Sequence, residues 1–152
     1  MKTSGRPERA ELQGRAMREL AIVHQLTATR LNRALQPLGL TLTHAGLLFH
    51  LSGSSDGCSI AEITAAMEVN QPAVSKTVRA LAELGAVTVD TPADDARRRT
   101  VRLTPHGTTL FTQAKQAMHP ETTLAFAGLT DDHLADLLDC LAEVHTHLDN
   151  AR

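Results

Sequence analysis

Residues 59–67 read SIAEITAAM, residues 70–85 read NQPAVSKTVRALAELG, and residues 86–104 read AVTVDTPADDARRRTVRLT. The first two segments each open with a residue type that caps helices, and the second closes with a glycine. The third contains two short alternating runs on either side of a basic stretch. This order predicts two packed helices followed by a β-hairpin.

The first helix is predicted to begin at Ser59, which forms a capping box with Glu62. In such a box the serine hydroxyl accepts a free N–H of the first turn, and the glutamate reaches back to the capping residue. The apolar residues that follow recur at helical spacing and give one apolar face: Ile60, Ile63, Ala66 and Met67. The helix is therefore expected to be amphipathic.

The second helix is predicted to begin at Asn70, a favourable N-cap, with Pro72 in the first turn. Gly85 stands where a helix commonly ends in a left-handed residue. The buried face is predicted to hold Val74, Val78, Leu81 and Leu84. The opposite face can donate hydrogen bonds to phosphates or base edges through Gln71, Ser75, Lys76 and Arg79. Taken alone, this face is equally consistent with an ordinary solvated surface.

Residues 86–90 and 99–103 alternate with period two, as half-buried strands do. Their apolar members are predicted to face the core: Val87, Val89, Val101 and Leu103. Their other members are predicted to face outward: Thr88, Thr100 and Arg102. Because the stretch between them is polar and turn-forming, the two runs are expected to pair as a hairpin.

The hairpin carries three consecutive arginines at its tip, Arg97, Arg98 and Arg99. Guanidinium groups are drawn into a narrow minor groove by its negative potential. Asp95 could pair with Arg97 and hold its orientation. Three arginines in an isolated loop are more often a solvated charge run. After two such helices, they instead predict a winged helix-turn-helix that binds duplex DNA.

The second helix and the hairpin together resemble the MarR family of bacterial transcription regulators. The resemblance rests on residues 70–81 and 94–104, and it places the Asp-x-Arg of the family's wing on Asp95 and Arg97. The position between them is often arginine in the family and is Ala96 here. Beyond these motifs the resemblance covers most of the chain by pattern and length.

The resemblance implies a homodimer that reads two half-sites of a pseudo-palindromic operator, with terminal helices at the dimer interface. We expect a repressor, released by a small anionic or aromatic effector held between the dimer helices and the DNA-binding lobe. The DNA-contacting residues predicted from motif and resemblance are Asn70, Gln71, Ser75, Lys76, Thr77, Arg79, Asp95, Arg97, Arg98 and Arg99.

The residues before the motif predict two further helices. The first spans residues 8–36, where apolar side chains recur at helical spacings: Leu12, Ala16, Leu20, Val23, Leu31 and Leu35. Pro37 and Gly39 end it. Thr43 is then predicted to cap a short helix that carries Ala45, Leu47, Leu48 and Leu51.

After the hairpin, Thr104 and Pro105 predict the start of a helix, and Pro120 is expected to kink or break it near Ala117. Thr130 is predicted to open a last helix with a broad apolar stripe: Leu134, Leu137, Leu138, Leu141, Val144 and Leu148. So wide a stripe is expected to meet the first helix and a second copy of the chain. The alternative is that it packs only on its own core.

The length of 152 residues favours one domain, with residues 41–104 as the winged-helix lobe and residues 8–36 and 105–150 as a helical dimerisation region. Because no apolar run is long enough to span a membrane and no leader-like segment opens the chain, we expect a soluble cytoplasmic protein without a membrane partner. Three Phe, no Trp and no Tyr argue against base stacking, and hence against RNA or single-stranded DNA.

The net charge of −2 opposes DNA binding only as an average. Residues 1–120 hold 14 Lys and Arg against 10 Asp and Glu, whereas residues 121–152 hold one against seven. The acidic end is therefore expected to lie away from the DNA that the hairpin faces. The modest basic surplus predicts modest non-specific affinity that salt weakens.

The candidate effector contacts lie on the two helices nearest the cleft that the resemblance implies: His24, Arg30, His44 and His50. Partly buried structural histidines and a solvated arginine are the alternatives. Cys58 and Cys140 are interpreted as small packing residues rather than oxidant sensors. His145 and His147 point to different helix faces, so they predict no metal site.

The sequence offers no glycine-rich phosphate loop, no metal-ligand spacing and no nucleophile with a recognisable base. We therefore expect no enzymatic activity and no cofactor. The alternative to DNA binding is a winged helix that docks a protein partner through the polar face of its second helix. The basic surplus and Arg97 argue against it.

Overall fold

The computed structural model describes residues 8–67, 69–95 and 98–151. Its elements, in chain order, are α1 (Arg9–Leu35), a 3₁₀ turn (Gln36–Leu38), α2 (Leu42–Ser52), β1 (Cys58–Ser59), α3 (Ile60–Met67), α4 (Gln71–Glu83), β2 (Val87–Asp90), β3 (Thr100–Leu103), α5 (Pro105–Phe126) and α6 (Asp131–Asn150). The strands form an antiparallel sheet in the order β1-β3-β2. A mainly helical chain with a small hairpin sheet confirms the predicted fold class.

The predicted capping box at the start of α3 is present. The N–H of Glu62 donates to Ser59 Oγ at 3.1 Å, and the N–H of Ser59 donates to Glu62 Oε2 at 2.7 Å. Hydrogen bonding of the Glu62 carboxyl to the backbone N–H and the side chain of Ser59 lowers the pKa of that carboxyl, because it favours the charged form. The start of α3 is thus fixed by its own sequence.

The cap of α2 is Thr41, so the prediction of Thr43 is wrong. Thr41 has an extended backbone, and its Oγ1 accepts the N–H of His44 at 3.3 Å. His44 completes the box, since its Nδ1 accepts the N–H of Thr41 at 3.0 Å. Asn32 on α1 accepts the next N–H, that of Leu42, at 2.8 Å. These partners fix the helix start two residues before Thr43, which therefore lies inside the first turn.

The sheet differs from the prediction in two ways. It contains an additional strand, β1, and Val89 does not face the core. Cys58 in β1 pairs with Val101, so β3 is the central strand and β2 lies at the edge. Val101 has a strand on each side and is fully buried, and Val87 is almost fully buried. Val89, by contrast, is 37% exposed, because it lies on the edge strand where the hairpin extends beyond the core.

The core brings together α2, α3, α4, the sheet, the end of α1 and the first half of α5. Its most deeply buried side chains are Leu35, Leu47, Leu48, Leu51, Ile63, Val74, Leu81 and Val101, joined by Leu110 and Ala114 of α5. Cys58 is also buried there, as predicted for a packing residue. The two helices of the sequence motif are therefore held on one shared apolar cluster.

The two terminal helices leave most of their apolar residues exposed. In α1 the buried residue is Leu35, and none of the residues described in α6 is buried. The exposed apolar side chains of these helices include Leu12, Leu20, Val23, Leu138, Leu141, Val144 and Leu148. Cys140 is exposed as well, so its interpretation as a packing residue is wrong for the single chain.

Helix α5 passes through Pro120 without a break and continues to Phe126. Of the kink or break expected near Ala117, the break is therefore absent. An ion pair between Arg30 of α1 and Glu121 joins the two helices directly after the proline, which helps to hold the helix across the missing hydrogen bond. No helix within the described residues is both long and apolar enough to cross a membrane.

The capping box of α2 makes stability depend on pH through His44. Its Nδ1 can accept the N–H of Thr41 only while the imidazole is neutral. Burial also lowers the pKa of His44 below its usual 6.5. The unfolded state therefore binds this proton more readily than the folded state. The stabilisation is complete above pH 6.5 and is lost as the pH falls through the lowered pKa.

We expect the free energy of unfolding in urea to fall as wild-type protein is taken from about pH 7.5 to about pH 5. His44→Gln should lose part of this dependence, because the amide oxygen accepts the same N–H without titrating. His24→Gln, the same change at an exposed position of α1, should behave as wild type. Equal pH dependence in all three proteins would contradict the role of His44.

Candidate nucleic-acid interface

Helix α4 starts as the sequence predicts. Asn70 has an extended backbone, and its Oδ1 accepts the N–H of Ala73 at 2.9 Å. Pro72 stands in the first turn, where no N–H is needed. The side-chain oxygen of Asn70 is therefore committed to the helix, and its predicted DNA contact would have to use the amide nitrogen.

The end of α4 is also fixed by its sequence. Gly85 has a positive φ of 71°, the N–H of Gly85 donates to Ala82 O, and the N–H of Ala86 donates to Leu81 O, both at 2.9 Å. This left-handed turn stops the helix, as predicted. Leu84 does not extend the buried face, since it is 39% exposed just before the turn.

The two faces of α4 differ as predicted, with one exception. Val74, Val78 and Leu81 are buried, whereas the side chains of Gln71, Lys76 and Arg79 are exposed and Ser75 is half-buried. Thr77 is only 9% exposed, and its Oγ1 donates to Ala73 O at 3.0 Å. It lies three residues after Val74 and four before Leu81, on the buried face, and its DNA contact stays a prediction of the sequence.

At the tip of the hairpin, Asp95 is bound by Arg98, which lies three positions later in the sequence. The N–H of Arg98 donates to Asp95 O at 3.1 Å, and its Nε lies 3.9 Å from Asp95 Oδ2. The Arg98 side chain remains 81% exposed. Arg97 lies outside the described residues, so its pairing with Asp95 and its place in a minor groove stay predictions of the sequence.

Arg102 has a partner that the sequence analysis did not identify. Its Nε donates to Asp90 Oδ2 at 3.2 Å across the two strands of the hairpin. Thr88 lies opposite Arg102 and Thr100 opposite Asp90, so this is a diagonal cross-strand pair. The opposite charges of Asp90 and Arg102 could have predicted this pair, but only if the pairing register of β2 and β3 had been known.

A cavity of about 290 Å³ lies between α4 and the hairpin. It is lined by Ile60, Ser75, Val78, Arg79, Ala82, Val89, Thr91 and Arg99. It brings Arg79 of α4 close to Arg99 of the hairpin, although the two are twenty positions apart in the sequence. Two guanidinium groups and two hydroxyls beside apolar surface suit a phosphate group, with the guanidinium groups and hydroxyls donating to its oxygens.

The candidate effector residues do not come together. Arg30 is paired with Glu121 and lines a cavity of about 270 Å³ between α1 and α5, whose surface is mainly apolar. His44 is used in the cap of α2, His24 is exposed on α1, and His50 lies near enough to Glu62 to lower its pKa slightly. Among the described residues no group of His, Cys, Asp and Glu could hold a metal ion.

Comparison with protein families gives a match over the winged-helix lobe. A sequence model described as the MarR family matches residues 38–98. This span runs from the end of the 3₁₀ turn through α2, α3 and α4 to the tip of the hairpin. It therefore contains both faces of α4 and most of the hairpin.

Solved structures share the fold over most of the chain. A mutant MarR from E. coli complexed with operator DNA has a TM-score of 0.77 at 22% identity, covering 91% of this chain and 99% of that one. CouR from Rhodococcus jostii RHA1, bound to p-coumaroyl-CoA, has 0.72 at 23%, covering 82% and 87%. AbsC, a MarR family transcriptional regulator from Streptomyces coelicolor, has 0.78 at 21%, covering 97% and 99%.

The cap of α4 should carry measurable stability. Asn70→Ala is expected to lower the free energy of unfolding by about 1 kcal/mol, because the N–H of Ala73 loses its acceptor. Gln71→Ala, a change at the adjacent exposed position, should shift it by less than about 0.5 kcal/mol. Urea unfolding measures both. Equal effects of the two substitutions would contradict the capping role.

Proposed function

We propose that this chain, whose residues 38–98 match the MarR family, is a cytoplasmic transcriptional repressor of that family that binds a duplex operator as a homodimer. The observation that carries the proposal is the convergence of Ser75, Arg79 and Arg99 on one cavity between α4 and the hairpin. An effector of low molecular mass is proposed to release the operator.

The geometry of duplex DNA explains why this cavity matters. When a helix enters the major groove and a neighbouring hairpin reaches the minor groove, the sugar–phosphate strand between the grooves passes between the two elements. Arg79 and Arg99 are proposed to bind phosphates of that strand. Gln71 and Lys76, exposed nearer the start of α4, are proposed to face the major groove.

The uneven charge of the chain supports the same orientation. The 14 basic residues of residues 1–120 include every arginine and lysine of α4 and the hairpin, whereas residues 121–152 are strongly acidic. The acidic α6 begins with Asp131 and Asp132 at its positive end. A duplex is therefore attracted to the hairpin side of the chain and repelled by the opposite end. A mutant MarR from E. coli, which shares the fold, was solved in complex with operator DNA, and this supports duplex DNA as the partner.

The exposed apolar residues of α1 and α6 support the homodimer. A monomer seldom leaves so many large apolar side chains exposed to water on two of its helices. Leu138, for example, is 66% exposed in the single chain. A two-fold partner would cover this surface. The resulting dimer would present two copies of α4, the proposed recognition helix, to two half-sites.

The proposed effector site is the mainly apolar cavity between α1 and α5. Val23, Leu31 and Phe126 supply apolar surface, and Arg30 lies beside Glu121 at the same cavity. Because Glu121 already neutralises Arg30, the site is proposed to take an apolar group and to hold an anion only if that pair opens. CouR, whose structure contains p-coumaroyl-CoA, is a relative by fold that holds such a mixed ligand.

The DNA contact is tested with Arg99→Ala and a duplex selected by the wild-type protein from a random-sequence library. We expect affinity to fall by about 3 kcal/mol, roughly a hundredfold or more, because the homodimer loses two charge-assisted bonds to phosphate, one on each protomer. The slope of log affinity against log salt concentration should decrease in magnitude by about two, one for each protomer. Fluorescence anisotropy over a series of salt concentrations measures both.

Lys115→Ala is the matched control, since it removes one positive charge from α5, where Lys115 stacks on Phe111. It should leave the salt slope unchanged. If the wild-type protein selects no duplex and shows no salt-dependent binding, the winged helix is a protein-docking module instead. Unchanged binding by Arg99→Ala would remove only the phosphate contact at the cavity.

The dimer is tested with Leu141→Glu in sedimentation velocity. We expect the dimer dissociation constant to rise by roughly a hundredfold or more, because an unpaired carboxylate would be buried on each protomer. Ala142→Glu introduces the same charge at the next position, where Asp139, Glu143 and Thr146 form a polar surface. It should sediment as wild type. A monomeric wild-type protein would contradict the dimer without affecting the DNA assay.

A further inference from the structure

One hydroxyl group joins the end of α4 to the start of α5. Thr104 is the N-cap of α5, and its Oγ1 accepts the N–H of Gly107 at 2.9 Å. The same Oγ1 donates its proton to the carbonyl oxygen of Gly85 at 2.7 Å. Gly85 is the left-handed residue that ends α4. The side chain of Thr104 therefore caps the first turn of α5 and also binds the residue that ends α4.

The backbone makes a second connection at the same place. The N–H of Thr104 donates to Ala86 O at 3.0 Å. Gly107 lies so close to Ala86 that a Cβ there would be 1.9 Å from the Ala86 carbonyl oxygen. We call Gly85, Ala86, Thr104 and Gly107 the α4–α5 joint.

The joint differs in kind from the other contacts that α5 makes with the DNA-binding lobe. Leu110 and Ala114 of α5 enter the core through apolar packing, which is not directional. Hydrogen bonds, by contrast, weaken steeply when their angle changes. The joint therefore adds an angle-dependent constraint on the direction of α4 relative to α5, beyond what the apolar contacts supply.

We propose that Thr104 is a positioning residue, which fixes the direction of α4 relative to α5. In a homodimer this direction sets the distance between the two copies of α4. This inference rests on the proposed function, because it requires a dimer that binds two half-sites. Thr104 itself touches no DNA in this proposal; it acts through α4.

Thr104→Val tests the proposal, since it keeps the shape of the side chain and removes both hydroxyl bonds. The wild-type protein first selects a duplex from a random-sequence library, and duplexes are then made with the half-site spacing changed by one base pair. We expect the variant to bind the selected duplex roughly tenfold more weakly, and the ratio of affinities for the selected and altered spacings to fall by a similar factor.

Two controls separate positioning from stability. Thr104→Ser keeps both hydroxyl bonds and should restore the wild-type ratio. Thr109→Val removes a hydroxyl bond that lies within α5, from Thr109 Oγ1 to Pro105 O, and should leave the ratio unchanged. Because the readout is a ratio, it does not depend on the fraction of folded protein, so a merely destabilised variant would keep the wild-type value.

The outcomes are distinguishable from failure of the proposed function. If the wild-type protein binds no duplex, or shows no preference for half-site spacing, the proposed binding of an operator by a homodimer is overturned, and this inference with it. A wild-type protein with a clear spacing preference that Thr104→Val retains in full would overturn the positioning role alone. A reduced ratio in Thr104→Val, with Thr104→Ser and Thr109→Val unchanged, is the result expected.

Discussion

The burial of one face of α4 is the contact on which the rest of the structure depends. Val74, Val78 and Leu81 are almost inaccessible to solvent, and they fix the rotation of the helix about its own axis. A helix turns by about 100° per residue, so a shift of one position would expose these side chains and bury polar ones. The orientation of Gln71 and Arg79 toward solvent is thus set from inside the protein rather than by the outer face itself.

The features that the sequence predicted well are those that depend on neighbours within four residues. The box of Ser59 and Glu62, the cap by Asn70 and the left-handed turn at Gly85 each use groups close in the chain, so their geometry follows from local bonding. The strands of the hairpin were likewise visible in their alternation. The family could be recognised because these local signals occur in a fixed order.

Most of the features that the sequence did not predict depend on contacts between distant parts of the chain, whereas the burial of Thr77 depends on a bond within its own helix. Val89 fits an inward-facing pattern, but its exposure depends on where the sheet ends relative to the core. Thr77 looks polar in the sequence, yet its hydroxyl is satisfied by the backbone of its own helix, so it can be buried. The pairing of Arg30 with Glu121 spans 91 positions and has no local signature. The cavity that joins Arg79 to Arg99 is equally a product of the folded arrangement.

The close approach of Gly107 to Ala86 has a consequence for how this chain can change over time. Any other residue at position 107 would have to displace the backbone carbonyl that it meets at 1.9 Å. Gly14 and Gly128, by contrast, meet no described atom within 4 Å of such a Cβ, and substitutions there are sterically open. Sequences that descend from this one should therefore vary freely at positions 14 and 128 while position 107 remains glycine.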